Sequence, residues 1–69
     1  MNKPIKKYIA ENKIGIVGFA KKADICKSAI SDLVNDKRDF RKMTVENAYK
    51  ISKAMNSSIN NIYEEEENL

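Results

Sequence analysis

The sequence predicts an all-α protein, a compact bundle of five helices in a single domain. Apolar residues recur at spacings of three and four from end to end, which is the period of an amphipathic helix. No segment alternates apolar and polar residues over the length that a strand needs. The 69 residues permit one domain, near the lower limit at which a core without disulfides or metals holds a fold together.

The first predicted helix covers residues 4–12. Pro4 suits its first turn, because a residue without an amide hydrogen loses no helical hydrogen bond there. Its apolar face is formed by Ile5, Tyr8 and Ile9. Gly15 interrupts the pattern, and a second short helix follows over residues 16–23. The apolar side of this helix is formed by Phe19, Ala20 and Ala23.

A third helix is predicted over residues 27–34. Its apolar positions are Ala29, Ile30, Leu33 and Val34. Residues 35–39 are polar and have no apolar anchor, and their Asn and Asp residues tolerate turns. We therefore expect a surface loop at this point.

The fourth predicted helix covers residues 44–55. Thr44 is a suitable N-cap, and Asn56 stands where Gly or Asn commonly ends a helix. The apolar face of this helix is formed by Val45, Ala48, Ile51, Ala54 and Met55. Ser58 can cap a last helix, predicted over residues 58–63.

Charge divides the chain into a basic body and an acidic end. Residues 1–63 carry all thirteen bases but only six of the ten acids, a net charge of +7. The other four acids are the consecutive residues 64–67. We expect residues 64–69 to form a flexible, solvated tail that can lie away from the basic surface. A basic body predicts a polyanionic partner.

Composition argues against most enzyme and metal sites, and we expect no catalytic residues and no cofactor. The chain has no His, and its one thiol, Cys26, has no imidazole to activate it. No apolar stretch approaches the roughly 18 residues of a membrane span, and no signal-like segment begins the chain. We therefore expect a cytoplasmic protein without a membrane partner.

The second and third helices have the features of a helix-turn-helix, with a small residue, Ala20, where the two helices would cross. The segment Phe19 to Phe40, FAKKADICKSAISDLVNDKRDF, resembles the core motif of the phage repressor and Cro family of DNA-binding domains. The segment Arg41 to Tyr63, RKMTVENAYKISKAMNSSINNIY, resembles that family's fourth and fifth helices. The likeness implies a lambda-repressor-like helix-turn-helix fold.

The resemblance also implies a function: a sequence-specific transcriptional regulator, a repressor of a phage or mobile element that binds a double-stranded operator on the bacterial nucleoid. In that family the third helix reads base edges, which carries over onto Lys27, Ser28, Ser31 and Asp32. The loop after it binds phosphates, here through Lys37, Arg38, Arg41 and Lys42. Lys and Ser are suitable donors to bases, whereas phosphate contacts fix register without reading sequence.

The sequence departs from the family at the turn and at the start of the second helix. Asp24 and Asp36 replace glycines, and Phe40 replaces a proline. Ile16 and Val17 stand where the family has polar residues, one of which binds phosphate. Exposed apolar side chains suit a protein partner better. An alternative function is therefore that of an antirepressor, which would bind a companion repressor through the second and third helices.

The segment Gly15-Ile16-Val17-Gly18 also resembles the Gly-x-x-Gly loop of KH RNA-binding domains. That loop clamps nucleotides within a fold that includes a sheet. The lack of predicted strands and the apolar residues between the glycines argue against this alternative.

The last predicted helix carries more apolar surface than a short element needs for its own packing. We expect Ile59, Ile62 and Tyr63, with Leu69 beyond them, to form a homodimer contact. A dimer of this motif would bind two half-sites about 34 Å apart in a near-palindromic operator.

Overall fold

The computed structural model describes residues 1–68 and contains five α-helices, one short 3₁₀ turn and no strand within them. The helices are α1 (Lys3–Asn12), α2 (Gly15–Ala23), α3 (Lys27–Val34), α4 (Val45–Ala54) and α5 (Ile59–Asn68), and the 3₁₀ turn is Phe40–Lys42. The all-α prediction is confirmed. Four of the helices begin and end within one residue of their predicted bounds, whereas α5 is longer than predicted and the 3₁₀ turn was not predicted.

Side-chain caps start the last two helices at the predicted residues. The Thr44 hydroxyl accepts a hydrogen bond from the backbone N–H of Asn47 at 3.3 Å, at the start of α4. The Ser58 hydroxyl accepts one from the backbone N–H of Asn61 at 3.1 Å, at the start of α5. Each cap pairs an amide that has no partner within its helix, which fixes where the helix begins.

Helices α2, α3 and α4 end in the same way, with a residue that has a left-handed backbone and a hydrogen bond from the residue after it. Asp24, Asp36 and Asn56 have φ values of 57°, 61° and 53°. In each case the N–H of the following residue donates to a carbonyl five positions back: Ile25 to Ala20, Lys37 to Asp32 and Ser57 to Ser52. This pairing closes a helix and turns the chain sharply. Aspartate therefore takes the place that glycine usually has at two of the turns, because Asp tolerates this conformation better than most residues.

All five helices contribute to one hydrophobic core. Its largest fully buried side chains are Phe19, Ile5, Ile30, Leu33, Ile51 and Ile62. Two edge-to-face aromatic pairs extend it: Tyr8 packs on Phe19 with ring centroids 5.7 Å apart, and Tyr63 packs on Phe40 at 5.8 Å. The result is a nearly isotropic body of 26 × 24 × 23 Å.

The acidic end of the chain is helical, so the prediction of a flexible tail is wrong for residues 64–68. Helix α5 continues through them to Asn68. The Glu66 carboxylate accepts hydrogen bonds from the backbone N–H groups of Asn2 at 3.1 Å and Lys3 at 2.7 Å. These amides form the positive end of α1, which attracts a carboxylate. Leu69, the last residue of the predicted tail and dimer contact, lies outside the described residues.

The 3₁₀ turn anchors the end of the loop that follows α3. Phe40 is buried in the core. The Asp39 carboxylate accepts a hydrogen bond from the backbone N–H of Arg41 at 3.0 Å, which caps the turn. The loop is therefore attached to the body at both ends.

Candidate nucleic-acid interface

Helices α2 and α3 bury their inner sides and are joined by a short turn. The buried residues are Phe19, Ala20 and Ala23 on α2 and Ala29, Ile30 and Leu33 on α3. The turn consists of Asp24, with its left-handed backbone, then Ile25 and Cys26. The tight turn leaves the first turn of α3 free to face outward.

The four residues predicted to read bases share the outer side of α3. Lys27 and Ser28 are exposed, whereas Ser31 and Asp32 are half-buried. Lys27 and Ser31 are four positions apart, as are Ser28 and Asp32, so each pair is aligned along the helix. The outer side of α3 thus begins with two accessible donors, Lys27 and Ser28. Within residues 1–68, Lys27 has no ion pair.

The four residues predicted to bind phosphate are all exposed, but they differ in their partners. Arg38 lies 3.8 Å from the Asp32 carboxylate of α3. Arg41 binds Asp39 through Nε at 3.2 Å and Nη2 at 3.1 Å. In the described part of the chain neither Lys37 nor Lys42 has an ion pair. The two lysines are therefore available to an anion, whereas each arginine already has a carboxylate partner.

The pair of Arg41 and Asp39 shifts the pKa of both groups. Hydrogen bonding between the side chains lowers the pKa of the Asp39 carboxyl and raises that of the Arg41 guanidinium. The charges of Glu66 and Glu67 also raise the pKa of Arg41, by less than Asp39 does. Glu66 also accepts a hydrogen bond from the backbone N–H of Asn2, whose side chain binds the Arg38 carbonyl of the basic loop. The acidic end of α5 is therefore held near the basic loop, and the expectation that it can lie away from this surface is wrong.

Cys26 occupies the N-cap position of α3 and is exposed. The pKa of the Cys26 thiol is lowered, mainly by a hydrogen bond with the Ser28 hydroxyl, which lies 3.4 Å from the sulfur. The backbone N–H of Ala29 and the charge of Arg38 lower the pKa further. The contact of Arg38 with Asp32, at 3.8 Å, places the basic loop beside the outer side of α3.

The two apolar residues at the start of α2 have different environments. Val17 is 47% exposed. Ile16 is half-buried and packs against the core, so the expectation of an exposed side chain is wrong for Ile16. Val17 borders an open groove of about 550 Å³ between α2 and α3. The groove is also lined by Ala20, Lys21, Asp24, Ile25, Cys26 and Lys27.

The predicted dimer contact on α5 is largely internal. Ile62 is only 2% exposed, so its assignment to a dimer contact is wrong: the side chain completes the core. Tyr63 packs on Phe40 and its hydroxyl donates to the backbone carbonyl of Arg41 at 3.4 Å. Ile59 is half-buried. The period of α5 turns the apolar residues that suggested an interface toward the body of the protein.

Within residues 1–68, two of the four exposed large apolar side chains lie on α4. Val45 is 79% exposed and Tyr49 is 55% exposed. The prediction that Val45 belongs to the inner face is wrong, because at 100° per residue it lies about 120° around the helix from Ile51. Tyr49 and Ile59 line one groove between α4 and α5. This Tyr49–Ile59 groove was not predicted, since it forms only where two helices meet.

Asn2 was not singled out by its sequence context, yet its side chain makes three hydrogen bonds to backbone groups of other segments. It is 2% exposed and has a left-handed backbone with φ of 60°. Its Nδ2 donates to the backbone carbonyls of Leu33 at 2.9 Å and Arg38 at 2.5 Å. Its Oδ1 accepts from the backbone N–H of Phe40 at 2.9 Å. Asn2 thus connects the start of α1 to the end of α3 and to the basic loop.

Within residues 1–68 no cluster of three or more His, Cys, Asp or Glu side chains could hold a metal ion. In the same part of the chain no helix is long and apolar enough to cross a bilayer.

No family model, curated protein or solved structure matches the chain.

Proposed function

We propose that the protein is a sequence-specific DNA-binding regulator, with α2 and α3 acting as a helix-turn-helix of the phage repressor and Cro type. One observation supports this most directly: the exposed polar start of α3 adjoins an exposed basic loop, on a helix pair whose inner sides are buried. A binding surface of cations and neutral donors fits DNA, which presents phosphates beside base acceptors. We propose a binding role and no catalysis.

In the proposed complex α3 enters the major groove. Its eight residues span about 12 Å, close to the width of that groove. Lys27 donates to the N7 and O6 acceptors of guanine, and Ser28 and Ser31 pair with either kind of base. Asp32 accepts from the amino group of cytosine, while Arg38 offsets the repulsion between its carboxylate and the phosphates.

The basic loop is proposed to bind the DNA backbone next to the groove. Lys37 and Lys42 contact phosphates directly, because neither is paired with a carboxylate within residues 1–68. Arg38 and Arg41 share their guanidinium groups between a phosphate and the aspartate that each already binds. These contacts orient α3 and contribute affinity that falls with salt.

A titration of isotope-labelled protein with duplex DNA tests the proposed surface. The amide resonances of residues 26–32 and 36–42 should shift, whereas those of residues 7–12, which lie outside both the proposed DNA surface and the proposed dimer surface, should stay unchanged. Absence of shifts with any duplex, or shifts confined to residues 7–12, would contradict the proposal.

A companion repressor protein is a second candidate partner, favoured by the exposure of Val17 beside the groove between α2 and α3. The neighbouring intergenic DNA and the product of the adjacent gene allow a direct comparison by gel shift. No shift by this protein alone, combined with loss of the other protein's shift, would favour this function. Val17→Glu should then abolish the effect, whereas Ala10→Glu, at an exposed apolar position of α1, should not.

A homodimer is proposed for operator binding, since a two-fold site has two half-sites about 34 Å apart. The surface that supports it is formed by Val45, Tyr49 and Ile59. Sedimentation should show association that Tyr49→Lys weakens. A monomer at all concentrations, with and without DNA, would contradict this part of the proposal.

A further inference from the structure

We propose that Asn2 is a positioning residue for phosphate binding, because its side chain fixes the basic loop relative to α3. The inference rests on the proposed function. Its basis is a set of three hydrogen bonds made by one buried amide to three separate backbone groups. Asn2 lies 31 to 38 positions from these partners in the sequence. Its side chain therefore fixes the distance between the end of α3 and the loop.

Each of the three bonds holds a different point of the segment that carries the cations. The Leu33 carbonyl belongs to the last turn of α3, the Arg38 carbonyl to the middle of the loop and the Phe40 N–H to the start of the 3₁₀ turn. The loop's own backbone bonds tie its first half to α3, through Lys37 and Arg38 donating to the Asp32 carbonyl. Asn2 therefore fixes the second half, from Arg38 to Phe40.

Asn2 can act in this way because its own backbone is held. Its N–H and that of Lys3 donate to the Glu66 carboxylate. Asparagine also adopts a left-handed backbone more readily than most residues, which suits its φ of 60°. The connection therefore runs from α5 through the start of α1 to the loop.

The position of the loop decides which phosphates its cations can reach. Lys37 and Arg38 precede the point that Asn2 holds, and Arg41 and Lys42 follow it. With the loop fixed to the end of α3, these cations stand at set distances from Lys27 and Ser28. Release of the loop would leave the base-reading helix folded but would let the cations move independently of it.

The test uses substitutions that spare the left-handed backbone. Asn2→Gly removes all three bonds and tolerates positive φ. Asn2→Asp keeps the shape and the acceptor for Phe40 but sets a carboxylate against the carbonyls of Leu33 and Arg38. Asn2→Ser, a milder change, extends the test if the other two variants fail to fold. Ser58→Ala is the matched control, since it removes the cap of α5 without touching the loop.

The measurement is the salt dependence of duplex binding, taken far below the melting temperature of every variant. The plot of log K against log salt has a negative slope, whose magnitude decreases by about 0.9 for each phosphate that the protein no longer neutralises. The magnitude of the slope for the Asn2 variants should therefore be smaller by about 1 to 2. Affinity for specific and random duplexes should fall together, whereas Ser58→Ala should keep the wild-type slope. Asn2 variants that melt earlier but bind with the wild-type slope would assign Asn2 a purely structural role and overturn the inference.

Hydrogen exchange in the free protein separates this inference from the proposed function. The Phe40 amide should exchange at least about tenfold faster in Asn2→Gly than in wild type, because its acceptor is removed. An unchanged Phe40 rate would overturn the inference whatever the binding data. If wild type binds no duplex, the proposed function fails and the inference about phosphate binding fails with it. If wild type binds and the Asn2 variants keep its slope, the inference alone fails.

Discussion

The Glu66 carboxylate of α5 accepts a hydrogen bond from the backbone N–H of Lys3 at 2.7 Å, between residues 63 positions apart in the chain. It accepts a second from Asn2 at 3.1 Å, and the terminal amine lies 3.9 Å away. One side chain thus caps the first helix from the last. The contact explains why a run of glutamates that is typical of a solvated tail is helical in this protein.

Glu66→Ala should therefore destabilise the fold. Two amides at the start of α1 would lose their acceptor, and the helix dipole would lose a favourable charge. We expect a loss of about 1 kcal/mol in the free energy of unfolding, measured by urea denaturation. The control is Glu65→Ala, which removes an exposed glutamate next to it and should change stability by less than about 0.5 kcal/mol. Equal effects of the two substitutions would show that the cap has no special role.

Lys27→Ala should reduce affinity for the preferred duplex by about 1–3 kcal/mol and relax specificity at one base pair. The reason is its exposed position at the start of α3, where it has no ion pair within residues 1–68. Fluorescence anisotropy with specific and random duplexes measures the effect. Lys7→Ala, at an exposed position of α1, is the control and should change neither affinity. An equal loss on both duplexes would refute the role of Lys27 in reading bases.

Substitutions in the basic loop should weaken binding to all sequences. Lys37→Ala should reduce the magnitude of the slope of log K against log salt by about 0.9, which is the contribution of one phosphate contact. Arg38→Ala should cost more affinity than Lys37→Ala, because it also leaves the Asp32 carboxylate unpaired beside the DNA. The comparison requires affinities at several salt concentrations. A larger loss for Lys37→Ala than for Arg38→Ala would contradict the role given to the pair of Arg38 and Asp32.

Asp36 should make stability depend on pH in the acid range. Its hydrogen bond with Lys6 lowers the pKa of its carboxyl, with smaller contributions from the charges of Lys6 and the terminal amine. A pKa that is lower in the folded state stabilises the protein above the unfolded value of about 3.9, and this contribution is lost as pH falls through the folded pKa.

The test is the free energy of unfolding measured by urea between neutral and strongly acid pH. Asp36→Asn keeps a residue that tolerates the left-handed backbone, and it should flatten the fall in stability below about pH 4. The substitution should have its largest effect near neutral pH. An unchanged pH profile would show that the contact with Lys6 does not contribute to stability.

The helices and their caps could be predicted because their signals are local. Thr44 and Ser58 bond amides three positions away. Asn56 ends α4 through its own backbone preference, and Asp24 adopts the same conformation between α2 and α3. Signals of this kind depend on neighbours in the sequence, so no knowledge of the tertiary structure is needed to read them.

The unpredicted interactions of Asn2 and Glu66 are long-range. The bonds of Asn2 to the loop and of Glu66 to α1 join residues at least 31 positions apart. Nothing near Asn2 in the sequence marks it as buried. Val45 and Ile62 were misassigned for a related reason, since an apolar residue alone does not tell which side of a short helix faces the core. The candidate base-reading residues could be placed on one side of α3 because their spacing is helical.

The ratio of affinities for selected and random duplexes tests the central claim most directly. Duplexes that bind the wild-type protein would be selected from a random library, and their dissociation constants compared with those of random duplexes at physiological salt. Specific regulators bind their sites about 10³-fold or more tightly than other DNA, and we predict a ratio in that range. Equal affinity for selected and random duplexes, or no binding to either at concentrations up to about 0.1 mM, would contradict it.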